Sequence, residues 1–120
     1  MENRAGKNDP EERTLAFSVA VVRFVSAPDR TEVSKAMARQ LLRSATSIGA
    51  NYREANRAES RDDFIHKTGI AQKEAAEADY WLEICRQARI GDTNQVTALA
   101  DEARQLLAIF TTINRTAKGR

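Results

Sequence analysis

Val96, Leu99, Ala103, Leu106, Phe110 and Ile113 recur at steps of 3, 4, 3, 4 and 3 residues, the spacing that lines one face of an α-helix with apolar side chains. A helix built this way needs neighbours to cover its seam, because most of its stability comes from packing. The rest of the 120-residue chain is suited to supply them. It holds only two prolines and five glycines, with 42% hydrophobic and 30% charged residues, the make-up of a folded helical protein and not of a disordered one. At this length a single domain buries a workable core without staples. Cys85 is the only cysteine, so no internal disulfide forms, and it falls within an apolar helical pattern as a small buried hydrophobe.

Local signals divide the chain into four helices at about 10–26, 30–57, 61–90 and 93–115. Asp9-Pro10-Glu11-Glu12 reads as a helix start, with Asp as cap and Pro at the first position. Pro28-Asp29 breaks the chain, and Asp29 with Glu32 offers a second cap-and-return pair. Ser60 caps the third helix, with Asp62 and Asp63 in its first turn, and Gly91 supplies a left-handed residue before a cap at Asp92 or Thr93. Short connections make neighbours antiparallel, so the predicted fold is all-α, an up-and-down four-helix bundle over 9–116. Residues 1–8 read as a disordered tail and 117–120 as a frayed end. There is no signal-peptide pattern and no run of about 18 apolar residues, so the expectation is a cytoplasmic protein that does not enter membranes.

The second helix has three distinct faces when placed at 100° per residue. Val33, Met37, Leu41, Ser44, Ile48, Asn51 and Ala55 form a core side, edged by Gln40 and Ser47. Buried amides and hydroxyls need partners, and Glu74 and Glu77 of the third helix are placed to complete a polar network with Ser44, Ser47 and Asn51. Ala38, Leu42, Ala45 and Gly49, with Tyr52 beside them, form a small-residue face, and Trp81 lies on a second apolar side of helix three. Apolar surface on several sides suggests subunit contacts through these six residues. The third face carries Lys35, Arg39, Arg43, Arg53 and Arg57 within about 80° of arc. The segment 30–57 has a net charge of +4 against +2 for the whole chain. This stripe is either a solvated face locally paired with Glu32 and Glu54 or a strip that contacts nucleic-acid phosphates.

Catalytic and cofactor motifs are absent. A di-iron bundle needs a Glu-x-x-His pair on each of two helices, and Asp63-Phe-Ile-His66 is the only approximation in a chain with one histidine. His66 reads as a helix-surface or interface residue. Neither Cys85 nor His66 has a catalytic partner at supporting spacing, and no phosphate-binding glycine loop occurs. No metal, no cofactor and no enzymatic activity are expected. Few aromatics are available to stack bases, so any nucleic-acid contact should be to phosphates.

The run Gln40-Leu-Leu-Arg-Ser-Ala-Thr-Ser-Ile-Gly-Ala-Asn-Tyr-Arg-Glu-Ala55, with Arg57-Ala-Glu-Ser-Arg-Asp-Asp-Phe-Ile-His-Lys67 and Lys73-Glu-Ala-Ala-Glu-Ala-Asp-Tyr-Trp-Leu-Glu83, resembles the bacterial four-helix-bundle family named after proteins encoded in 23S rRNA intervening sequences. Arg43, Ser44, Ser47, Asn51, Glu54, Phe64, Glu74, Glu77, Trp81 and Leu82 match its motif positions, while Thr68-Gly69 departs from it by placing a glycine inside a helix, a mark of close packing. The resemblance implies a homopentamer without enzymatic activity. It also implies a role with nucleic acid or a partner protein such as a reverse transcriptase, since a relative is the accessory protein of diversity-generating retroelements. The alternative is a purely structural or protein–protein interaction module.

Overall fold

A computed structural model describes residues 9–27 and 31–119. Four α-helices run in sequence: α1 (Pro10–Val25), α2 (Glu32–Ala55), α3 (Arg61–Ala88) and α4 (Thr93–Lys118). Cross-helix pairs establish that each is antiparallel to the next: Ser18 reaches the Ala45 carbonyl and Glu11 meets Asn56 across α1–α2. Glu54 meets Lys67 and Arg43 meets Glu74 across α2–α3, and Asn114 meets Thr68 across α3–α4. The packing goes round in chain order, with α1 touching α4 only sparsely, so α1 and α3 occupy opposite corners of the bundle.

Capping side chains start every helix. Asp9, Thr31, Ser60 and Asp92 each accept a backbone N–H from the first turn, relieving donors that the helix leaves unpaired. The expected cap at Asp29 lies outside the described residues, and Thr31 takes that part, bonding the Ser34 amide at 3.1 Å. α2 accordingly starts at Glu32 and stops at Ala55, two residues inside each expected end. α3 stops at Ala88 because Arg89 already adopts a left-handed conformation, with φ 59°, ahead of Gly91 at φ 85°. At Gly91 the missing side chain is also a steric need, since a Cβ there would lie 2.6 Å from the Phe24 ring. α4 runs to Lys118, beyond the expected 115 and into the segment read as frayed, because Arg61 of α3 donates to the Ala117 carbonyl at 2.6 and 3.0 Å. That guanidinium occupies carbonyls that otherwise have no helical partner. The tail 1–8 lies outside the described residues.

The core is built from Phe17, Val21 and Phe24 of α1, Leu41, Ala45 and Ile48 of α2, Ala71, Ala75, Ala78 and Leu82 of α3, and Val96, Leu99, Leu106 and Phe110 of α4. Alanines on α3 admit the larger side chains of α4. Two parts of the expected core differ. Val33 is 67% exposed, the second residue of α2 and beyond the reach of its neighbours, and Ser34 is buried in its place. At the far end of the α4 seam Asn114 is buried beside Ile113, its amide donating to the Ile65 carbonyl and to Thr68 Oγ1 at 2.9 Å each.

Close packing marks Gly49 and not Gly69. A Cβ on Gly49 would sit 2.9 Å from Thr14 Oγ1 and 3.1 Å from Thr14 Cβ, and that hydroxyl is fixed by bonds to the Pro10 and Glu11 carbonyls. A Cβ on Gly69 would meet only the Asn114 amide nitrogen at 3.6 Å, an ordinary contact. The same substitution should therefore act with opposite sign at the two positions. Gly69→Ala should raise the melting temperature, gaining up to about 1 kcal/mol of helix propensity. Gly49→Ala should lower it, because overpacking costs about 1–3 kcal/mol; thermal melts of the two variants check both signs.

Candidate functional site

Lys35, Arg39, Arg43 and Arg53 lie on the side of α2 opposite Leu41 and Ile48, as the helical wheel requires, while Arg57 falls beyond the end of the helix at Ala55. Neighbouring helices engage the two edges of this arc. On the α3 edge, Arg43 forms a fork: one guanidinium nitrogen donates to both oxygens of Glu74 at 3.3 Å and another to Glu77 Oε2. On the α1 edge, Arg53 Nε approaches Glu11 at 3.7 Å. Lys35 sits 3.7 Å from Glu32 on its own helix. Arg57 donates to the Arg53 carbonyl at 3.3 Å, and Arg39 is exposed without a hydrogen-bond or ion-pair partner among the described residues. Glu54, expected to pair with the stripe, instead binds Lys67 at 2.5 Å. The stripe is thus not five equivalent cations: Arg39 marks its outward centre line, Arg57 falls in the turn after α2, and Arg43 is committed to α3.

That commitment alters the expected polar network. Ser44 is fully buried but its hydroxyl donates to the Leu41 carbonyl; Ser47 donates to the Arg43 carbonyl and Asn51 to the Ser47 carbonyl. All three are satisfied within α2, which short polar side chains readily do in a helix. Glu74 and Glu77 are held by Arg43, and the Trp81 indole N–H also donates to Glu77 Oε2 at 3.1 Å. Arg43, followed by Trp81, keeps the Glu77 carboxyl below its usual range, with burial opposing them. This cluster clamps α2 to α3 through charge-assisted bonds.

The expected subunit face is also redirected. Ala45 is completely buried within one chain, and Gly49 packs on Thr14, so this side of α2 is where α1 lies. Ala38 and Leu42 line a shallow groove with Val25 of α1. Tyr52 packs edge-on against Phe110 at 5.1 Å, and Trp81 is half-buried against the core. The small residues serve the α1–α2 contact that one chain makes with itself.

A different apolar surface stands out, on α1. From Thr14 to Val25 this helix carries one charge, Arg23. Leu15, Val19 and Val22 point outward, 47%, 40% and 45% exposed. Ala16 and Ala20 continue the surface into a groove of about 520 Å³ against α4, floored by Phe17 and Leu99. Arg13 closes one end of that groove, bidentate to Glu102 at 2.7 and 3.0 Å and bonded to Gln105 at 2.9 Å. The sequence signal for this surface was the single charge in twelve residues. For the Arg13 pair there was none, since 89 positions separate the partners.

Among the described residues no group of three His, Cys, Asp or Glu is placed to hold a metal ion, and no helix is long and apolar enough to cross a membrane. His66 is exposed on α3 and Cys85 is buried.

Two variants separate the observed clamp from the expected network. Asn51→Leu leaves no α3 group without a partner and should change stability by no more than about 0.5 kcal/mol. Arg43→Met should destabilise at neutral pH, by about 1 kcal/mol or less for each half-exposed pair. Because Arg43 lowers the folded-state pKa of Glu77, this contribution is present above the ordinary carboxylate pKa of about 4.3 and is lost as pH falls through the depressed value. The gap in melting temperature between wild type and Arg43→Met should narrow in acid.

The comparisons agree with the motif resemblance. The solved structure of a protein of unknown function from the S23 ribosomal protein family of Bacteroides thetaiotaomicron is 34% identical, with a TM-score of 0.77 over 88% of this chain and 98% of that one. No curated protein matches the sequence. The family model for the 23S rRNA-intervening sequence protein matches residues 9–112, which takes in α1, α2, α3 and most of α4. The chain belongs to the 23S rRNA-intervening sequence protein family.

Proposed function

We propose that the protein is a non-enzymatic helical scaffold that works as a closed assembly of identical copies. The observation that carries this reading is α1: a helix apolar on nearly every side belongs inside a structure, yet in the single chain its Leu15, Val19 and Val22 face outward. Covering three half-exposed aliphatic side chains recovers about half of the 1.5–3 kcal/mol that full burial of each is worth. The family resemblance supports five as the number of copies. Light scattering coupled to size exclusion tests the reading. The expected mass at micromolar concentration is a multiple of 13.4 kDa, five-fold for the pentamer, and a monomer there would sink the proposal.

A second property follows from Arg39 and Arg57. Arg39 lies on the outward line of α2 and Arg57 in the turn just past its end, both without a carboxylate partner among the described residues, and any symmetric assembly repeats them in every copy. This supports binding of nucleic-acid phosphates with little sequence preference, alongside any protein partner such as a reverse transcriptase. Affinity should fall steeply with salt, each neutralised phosphate on duplex DNA contributing about −0.9 to the slope of log K against log salt. Replacing Arg39 and Arg57 with Gln should weaken binding to all sequences alike and flatten that slope, as read by fluorescence anisotropy with RNA and DNA oligonucleotides at several salt concentrations. Absence of wild-type binding at low salt would leave the protein-scaffold role alone.

A further inference from the structure

α1 is tied to the other helices near its start and held loosely after that. On the α2 side Glu11 accepts from Asn56 at 2.7 Å and meets Arg53 at 3.7 Å. On the α4 side Arg13 binds Glu102 and Gln105. Further along, Ser18 reaches the Ala45 carbonyl only at 3.5 Å, the outer limit of a hydrogen bond. Ala16 and Ala20 share a groove with Ala98 of α4, and these small side chains leave it about 520 Å³ open. At the far end the Phe24 ring packs over Gly91, beside Val96.

We propose that α1 is a releasable strap: it lifts from the bundle as one unit while α2, α3 and α4 stay packed, and the Arg13 tie to α4 is its latch. The inference concerns a single chain and goes beyond the scaffold reading. Opening uncovers an apolar trough, with Ala45 and Gly49 of α2 on one wall and Val96 and Leu99 of α4 on the other.

Three observations support a strap. α1 is a poor helix by itself, since seven of its 16 residues are β-branched or aromatic against seven of 28 in α3, and such residues lose rotamer freedom in a helix. It therefore holds its shape by packing. Lifting it also exposes little that is new, because Leu15, Val19 and Val22 are already half-exposed and Phe17, Val21 and Phe24 are the large side chains it buries. Finally, the remaining three helices are tied to one another without it. Arg43 joins α2 to Glu74 and Glu77 of α3, Asn114 joins α4 to Ile65 and Thr68, and Arg61 holds the end of α4 at the Ala117 carbonyl. Openings of this kind, in which one element leaves and the rest persists, occur below the free energy of global unfolding.

Native-state hydrogen exchange in low concentrations of urea, read by mass spectrometry on protein dilute enough to be a 13.4 kDa monomer, tests the strap. Amides in the middle of α1, from Phe17 to Val22, should exchange faster than those of α3 from Ala71 to Ala78. Their rate should also rise less steeply with urea, because opening exposes less surface than unfolding. Two variants read the order of events. Arg13→Met breaks a contact that is absent from both the opened and the unfolded chain, so exchange should quicken in α1 and α3 alike, by up to about fivefold for a part-exposed ion pair. Ala75→Gly weakens α3, which stays folded when α1 lifts. It should quicken α3 exchange about fivefold, the effect of a glycine in a helix interior, and leave α1 exchange unchanged. α1 exchange that matches α3 in rate and urea slope, or that quickens with Ala75→Gly, would show that α1 leaves only when the whole bundle unfolds and would overturn the strap. α1 exchange unchanged by Arg13→Met would overturn Arg13 as the latch.

Discussion

An apolar helix can be stable at a protein surface only if something covers it, and α1 is covered on one side. α2 packs closely along it, with Gly49 against Thr14 and Ala45 fully buried. Against α4 it makes few contacts and leaves a groove bridged by the Arg13–Glu102 pair. Its outward side bears Leu15, Val19 and Val22 where a solvated helix carries charge. The scaffold reading depends on that mismatch between the composition of α1 and its position.

The second helix illustrates how a correct wheel can still give the wrong partners. Its basic arc does lie opposite the core, but an arc of that width reaches the neighbours on both sides. α3 offers Glu74 and Glu77 at one edge and α1 offers Glu11 at the other, so Arg43 and Arg53 reach sideways to them while staying about half exposed, and Arg39 on the centre line points straight out. Once Arg43 occupies the two glutamates, Ser44, Ser47 and Asn51 have no role across the interface, and each closes on a carbonyl of its own helix. A long, charged, multidentate side chain outcompetes short neutral ones for a carboxylate.

The bundle was legible because its signals are local. Caps at Asp9, Ser60 and Asp92, the α4 seam and the breaks between helices all act within a few residues, and each is present in the fold. Choices among long-range alternatives were not. The small-residue face of α2 fits a second subunit as well as it fits α1, and the sequence holds no term that separates the two. Val33 continues the apolar period of α2 but lies past the end of what its neighbours cover. Asn114 interrupts an apolar seam, and its burial makes sense only with the Ile65 carbonyl and Thr68 beside it.

The basic side of α2 and the apolar face of α1 are separate surfaces, so one molecule has room both to assemble and to bind a polyanion. Assembly is the claim on which the rest stands. Hydroxyl-radical footprinting of the wild-type protein at micromolar concentration, read by mass spectrometry, tests it at the side chains concerned, with Val33, 67% exposed at the start of α2, as the internal reference. Leu15, Val19 and Val22 should be labelled far less than Val33 and should gain label on dilution to the monomer. Labelling of the three at the level of Val33, unchanged by dilution, would show that α1 stays open to water and would contradict the account.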